Sequence, residues 1–195
     1  MILIFISDVN NLFVIILILI KGIMMKLIFL ILIVSTQMFA FINKLNSFEA
    51  NFTQTITDDK NKVLTYSGKL LALKPQNALW KYTTPVEKDI YISKYTVTII
   101  EPEIEQAIIR KITSNFDFFN IIKNAKQIDK NNFVAKFENT NFNIEIKNNL
   151  IESITYIDQF ENKVKILFSN QLQNKTIDKN IFIPTIPFDF DIIRD

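Results

Sequence analysis

The chain has 195 residues, a formal net charge of +2 and scattered basic residues, so it offers no clustered Lys/Arg groove of the kind a nucleic acid needs. It contains neither histidine nor cysteine, which excludes thiol nucleophiles, imidazole acid–base catalysis, the usual zinc sites and disulfides. Any metal site would have to be built from carboxylates, and no acidic loop has calcium-type spacing, so no metal, no cofactor and no catalytic residue is expected. What the chain has in excess is aromatic surface: 18 Phe against two Gly, a composition suited to packing and apolar contact.

Residues 1–40 are nearly all apolar, yet they do not read as one membrane-spanning helix. Two apolar runs, 12–20 and 27–34, are divided by Lys21, Gly22 and Lys26, and each is shorter than the roughly 20 residues a span requires. From Met25 the sequence MKLIFLILIVSTQMFA has the three parts of an export signal: Lys26, an apolar stretch over 27–34, and a polar end that finishes on the small residue Ala40. The reading is a signal peptide over 25–40 cleaved after Ala40, with residues 1–23 an over-extended start; the alternative is an uncleaved membrane anchor. No cysteine follows the apolar run, so the exported chain is not itself a lipoprotein. Residues 41–195 then form one domain.

After a short amphipathic piece over 41–47, residues 48–56 alternate strictly and place Phe48, Ala50, Phe52, Gln54 and Ile56 on one strand face. Gln54 within that apolar face is either buried with hydrogen-bond partners or solvated at the sheet rim. Asp58, Asp59, Lys60 and Asn61 form a hairpin turn before a strand over 62–73, and Lys74, Pro75, Gln76 and Asn77 break the run before Leu79, Trp80, Lys81 and Tyr82 resume it. A hairpin over 87–93 and 95–100 follows, ended by Glu101 and Pro102; residues 103–112 are ambiguous in period between strand and helix. Residues 114–125 give the clearest helix, with Ser114 as cap, Asp117 three positions on, and Phe118, Ile121, Ile122 and Ala125 on one stripe with Phe119 beside it.

From there the pattern is a meander. Asn-rich turn signals at 131–132, 139–141, 148–149, 161–162 and 170–174 recur about every 8–12 residues, the spacing of an antiparallel β domain. Asparagine stands where glycine is usual because it tolerates positive φ. Between the turns Phe133, Ala135 and Phe137, then Phe142, Ile144 and Ile146, then Val164, Ile166 and Phe168 hold one face. About ten antiparallel strands with one apolar face must cover that face, and the few short helices available cannot seal it. The sheet therefore either closes into a barrel or forms a half-open shell.

The spacing Gly68, five residues, Lys74 and Pro75, four residues, Trp80, Tyr82 and Pro85 resembles the signature of the periplasmic outer-membrane lipoprotein carrier family, LolA. Phe48, Phe52 and Gln54 resemble the family's first strand; Tyr95, Pro102, Glu105 and Gln106 a middle segment; Phe182 and Pro184 leading to Asp191 its closing segment, with Phe188 or Asp189 where glycine is usual. The resemblance implies a mainly β fold, an incomplete, half-open antiparallel barrel with a few short helices as a lid over an apolar cavity, and it makes 103–112 a strand. It implies a monomeric, non-enzymatic periplasmic protein that binds acylated lipoproteins, receives them from an inner-membrane lipoprotein-releasing transporter and delivers them to an outer-membrane receptor or to the membrane itself.

The cavity would be lined by Phe52, Leu70, Trp80, Tyr82 and Ile92, with Phe116, Phe119 and Ile122 from the lid. Lys74 stands where the family has an arginine that latches the lid through backbone groups; an ammonium is a point donor and lacks the guanidinium fork. Ala78 replaces an aromatic, and Ser93 and Lys94 form a turn that carries glycine in the family. Each position also has a plainer account: Trp80 and Tyr82 as ordinary core, Phe116, Phe118 and Phe119 as a permanently packed helix, Lys74 as a solvated loop residue. For the whole chain the other accounts are a periplasmic sensor or structural module on the same shell, the known sensors carrying a further C-terminal domain for which 41–195 leaves no room, and a lipid-directed hydrolase, disfavoured by the missing histidine.

Overall fold

The computed structural model describes residues 44–112 and 117–194, which belong to one compact unit, Lys44–Asp195. The N-terminal segment with its signal-peptide reading, the cap expected at Ser114 and the lid residue Phe116 lie outside the described residues.

A single sheet organises the unit. In chain order its strands are β1 (Ser47–Thr57), β2 (Val63–Leu73), β3 (Asn77–Thr84), β4 (Lys88–Ile92), β5 (Thr96–Glu101), β6 (Gln106–Lys111), β7 (Lys126–Gln127), β8 (Asn132–Phe137), β9 (Thr140–Lys147), β10 (Leu150–Ile157), β11 (Lys163–Gln173) and β12 (Asp191–Arg194). They lie in the order β12-β6-β5-β4-β3-β2-β1-β11-β10-β9-β8-β7, and β12 and β7 are free edges. The half-open, mainly β shell expected from the sequence is this architecture. Its sheet has 12 strands, however, and β12 runs parallel to β6, because the closing segment returns across the sheet before adding an edge.

The alternation read from the sequence sets the two faces. Phe48, Ala50 and Phe52 on β1 sit opposite Ala72, Leu70 and Gly68 on β2, while Phe168 and Ile166 on β11 sit opposite Phe52 and Gln54. Outward positions on the other face form cross-strand ion pairs, Lys69 with Glu49 and Lys81 with Asp89 at 2.5 Å each. Exposed pairs of this kind contribute little energy and mainly keep that face in water. The outer face is not uniformly polar. Leu71 and Leu79 are buried there by Phe182, which a 3-10 turn (Lys179–Phe182) presents after Asp178 caps it. Here β2 and β3 are apolar on both faces, which alternation with a single core face does not anticipate.

Turns follow the predicted chemistry in part: at two of them the left-handed position is held by Glu138 and Glu161 in place of asparagine. The Asp58 carboxylate accepts the Lys60 and Lys62 N–H groups, and Asp158 does the same for Phe160 and Asn162, so two hairpin loops share one asparagine-like turn design. Asn61, Asn148, Asn149, Asn170 and Asn174 all take positive φ. The turn expected over 170–174 is instead a bulge within β11: the register with β1 slips between Glu49 and Asn51, Asn170 takes the left-handed conformation, and the strand runs on to Gln173. The Gln171 side chain then brackets the Ile151 backbone, accepting its N–H at 3.1 Å and donating to its carbonyl at 2.7 Å, in place of the ladder that β10 and β11 no longer make there.

Two other boundaries differ from expectation. Residues 103–112 divide into a 3-10 turn (Pro102–Ile104) and β6, with Glu105 at φ 50° making the corner. The helix, α1 (Phe118–Lys123), starts after Asp117, whose carboxylate accepts the Phe119 N–H at 3.0 Å and so caps it.

Candidate functional site

Gly68 is where the aromatic face is assembled. A Cβ there would lie 2.0 Å from the Lys81 carbonyl oxygen and 3.0 Å from a ring carbon of Phe52, so only glycine lets β3 approach and the Phe52 ring lie across β2. Phe52 thereby meets Trp80 and Tyr82 edge-on, both at 5.0 Å between centroids. The ring contacts continue from Trp80 to Phe168 at 6.4 Å, from Phe168 to Phe48 at 5.4 Å, and from Phe48 to Phe118 of α1 at 5.1 Å. A continuous aromatic path thus joins the Gly68 corner to the helix.

Over this path the sheet forms a partly open cavity of about 200 Å³. Its walls come from Trp80 on β3, Ile90 and Ile92 on β4, Phe142 on β9, Ile154 on β10 and Ile166 on β11. Strands as far apart in the sheet as β4 and β9 can line one cavity only if the sheet curls over on itself. Phe118 and Ile121 of α1 supply the remaining apolar side, while Phe119 and Ile122 are buried elsewhere on the helix. Volumes of about 300–1,000 Å³ are typical of sites that hold small ligands, so the cavity is partly filled by the helix.

Six polar side chains interrupt this lining: Gln54, Gln76, Asn77, Tyr82, Asp117 and Tyr156. Gln54 is 9% exposed, and its Oε1 accepts a 2.8 Å hydrogen bond from the Tyr82 hydroxyl. Burial pushes the Tyr82 phenol far above its ordinary pKa, with smaller contributions from the neighbouring Tyr156 and Tyr66. Tyr156, packed on Phe142 at 5.0 Å, is likewise raised by burial first. At the helix end, burial raises the Asp117 carboxyl, opposed by the N–H groups of Phe119 and Asn120 and by the charge of Lys74.

Of the positions read from the sequence, Trp80, Tyr82 and Ile92 line the cavity. Phe52 and Leu70 are buried beneath it, Leu70 opposite Trp80 in the β2–β3 register. Lys74 places its ammonium 5.7 Å from the Phe119 ring centroid and 3.3 Å from Asn46 Oδ1, at the start of α1. The cavity residues that the sequence reading did not place in a cavity are Gln54, Gln76, Asn77, Ala78, Ile90, Asp117, Phe118, Ile121, Phe142, Ile154, Tyr156 and Ile166. Several were visible as members of an apolar face; their meeting depends on the curl of the sheet, for which local sequence carries no signal. Among the described residues no group of three or more acidic side chains gathers where a metal ion would sit.

The family described as outer membrane lipoprotein carrier protein LolA matches residues 43–185. An outer-membrane lipoprotein carrier protein of Campylobacter jejuni is 42% identical over 158 residues, covering 81% of this chain and 92% of that relative. One of Wolinella succinogenes is 31% identical over 151 residues, covering 77% and 88%. In fold, the chain is similar to an uncharacterized conserved protein of Thermus thermophilus, with a TM-score of 0.51, 9% identity, and coverage of 83% of this chain and 99% of that one. With the family match across most of its length and close relatives aligned nearly end to end, the chain belongs to the outer-membrane lipoprotein carrier family, LolA.

Proposed function

We propose that this protein is a periplasmic carrier that takes the acyl chains of lipoproteins into its apolar cavity and ferries them from the inner to the outer membrane. The supporting observation is the cavity itself, walled by strands from both halves of the sheet and occupied on one side by a six-residue helix, in a chain of this family. Each methylene moved out of water gains about 0.8 kcal/mol, so a long acyl chain needs an apolar container to leave the membrane. The lining supplies such a container, with most of its walls apolar. The reading is a transport chaperone without chemistry.

In this reading residues 25–40 are the export signal and the mature protein acts as a monomer. The donor is a lipoprotein-releasing transporter of the inner membrane, and the acceptor is an outer-membrane receptor or the membrane itself. Helix α1 acts as the lid, and Lys74, beside Phe119 and Asp117, holds it in the closed position.

The test is a release assay. The mature protein is incubated with inner-membrane vesicles that hold a newly made lipoprotein and the releasing transporter. A soluble one-to-one complex of lipoprotein and protein is expected. Lipoprotein that stays on the vesicles in the presence of folded protein would refute the carrier reading and leave a sensor or structural module on the same shell.

A further inference from the structure

Gln54 presents a feature that the apolar cavity does not require. It lies on the apolar face of β1, is 9% exposed, and receives the Tyr82 hydroxyl on its Oε1. An amide oxygen only accepts, so Tyr82 must donate, and this fixes the amide with its N–H₂ turned away from Tyr82. That N–H₂ makes no hydrogen bond to any described residue, yet no fully buried side-chain polar atom among the described residues lacks a partner. The two facts agree only if the amide hydrogens open onto accessible space, and the space Gln54 borders is the cavity. Tyr156 lines the same cavity, and its hydroxyl also makes no hydrogen bond among the described residues. A mainly apolar chamber, which Gln76, Asn77 and Asp117 also line, therefore holds two unspent donors on Gln54 and Tyr156, the first on a side chain nine-tenths buried.

Leaving a buried donor unpaired is costly, and a hydrocarbon tail would deepen that cost by displacing any water. The ligand chemistry that relieves it is an acceptor without a charge, attached to an apolar chain. An ester or amide carbonyl at the head of an acyl chain has this form. We propose that Gln54, held by Tyr82 and flanked by Tyr156, is a recognition point for the carbonyl of an ester- or amide-linked acyl chain, so that the cavity selects acyl groups over bare alkyl chains. The inference rests on the acyl-chain reading of the cavity. Gln54 and Tyr156 would touch the ligand; Tyr82 is a positioning residue.

The experiment compares two synthetic lipopeptides on the same short peptide, one with S-2,3-bis(palmitoyloxy)propyl-cysteine and one with the corresponding bis(hexadecyloxy) ether. The ether keeps the tails and lacks the carbonyls. The native protein is expected to bind the diester about tenfold more tightly, one or two hydrogen bonds' worth. With ¹³C-labelled esters, the carbonyl stretch is expected to shift to lower frequency on binding. Gln54→Leu should bring the ratio close to one, Tyr156→Phe should lower it in part, and Tyr82→Phe should lower it while keeping both contact groups. Equal affinity for the two ligands in the native protein, or a preference that survives Gln54→Leu, would overturn the recognition point and leave the carrier reading standing. Failure of the native protein to bind either ligand would overturn the carrier reading and this inference with it.

Discussion

Gly68→Ala tests the packing on which the aromatic face depends, and its sign is informative. A glycine inside a strand normally costs stability, so alanine at an uncrowded site gains roughly 0.5–1 kcal/mol. At Gly68 the added methyl would meet the Lys81 carbonyl oxygen at 2.0 Å, its carbon at 2.9 Å and the Phe52 ring at 3.0 Å. The first two contacts are backbone, so no rotamer change relieves them; β3 must move away by about an ångström or Phe52 must lift. Overpacking of this kind costs about 1–3 kcal/mol, and loosening the edge-on contacts of Phe52 with Trp80 and Tyr82 adds about 0.5–1.5 kcal/mol for each. A net loss of about 3 kcal/mol is expected, which for a domain of this size lowers Tm by about 6–12 °C. The assay is thermal unfolding by circular dichroism, paired with urea unfolding to show an unchanged slope. A Tm that rises, or falls by less than 2 °C, would refute the argument that the β2–β3 approach requires glycine.

Lys74→Arg gives the helix N-terminus a forked donor that also stacks on Phe119, and is expected to slow cargo release about fivefold, about 1 kcal/mol of added latching, in a stopped transfer assay; an unchanged rate would make Lys74 a solvated loop residue. Phe118→Ala removes a side chain that packs on Phe48 and also fills the cavity, so stability should fall by about 3 kcal/mol while affinity for an environment-sensitive apolar dye rises; a parallel fall in both would mark the helix as permanent core. Tyr82 and Tyr156 are both raised above the value near 10 of an unfolded tyrosine, so their contribution is fully present below pH of about 10 and is lost as pH rises toward their folded values. The unfolding midpoint should therefore hold steady to about pH 9.5 and fall above it, less steeply in a Tyr82→Phe, Tyr156→Phe double variant; identical slopes would place both hydroxyls in water.

The elements that were legible in the sequence are those in which one local pattern decides the outcome. The strict alternation from Phe48 to Ile56 became β1 with one residue added at each end, because a two-residue period in a half-buried strand has no competing solution. What was not legible depends on tertiary events. The bulge at Asn170 looks like a turn because the same asparagine chemistry serves both, and only pairing with β1 tells them apart. Leu71 and Leu79 lie on the face away from the cavity, and they are buried because a segment about a hundred residues later returns to cover them. The cavity divides in the same way. Trp80, Tyr82 and Ile92 lie near one another in sequence and were readable together, whereas Phe142, Ile154, Tyr156 and Ile166 reach the same space only through the curl of the sheet. Gln54 lay between the two cases: an amide in an apolar row was visible, and its partner Tyr82, two strands away, was not.

A carrier must bind strongly enough to draw a lipid chain from a membrane and weakly enough to give it up, and α1 bears on this balance. A helix of six residues is far too short to persist alone, so its order comes from burying Phe118, Phe119, Ile121 and Ile122 against the sheet. At roughly 2 kcal/mol for each of these four side chains, that burial is worth about 8 kcal/mol. A 16-carbon acyl chain entering the same space gains roughly 12 kcal/mol from its methylenes. If the chain displaces the helix, the two large terms nearly cancel, and the net gain per chain is a few kcal/mol. This is small enough for a downstream acceptor to reverse and large enough to outcompete water. A rigid, permanently open cavity of the same lining would retain the whole 12 kcal/mol and hold its cargo. If α1 is the lid proposed above, its shortness and the partial filling of the cavity are parts of one device: the empty protein stores, as a docked helix, most of the energy that its ligand would otherwise have to surrender on leaving.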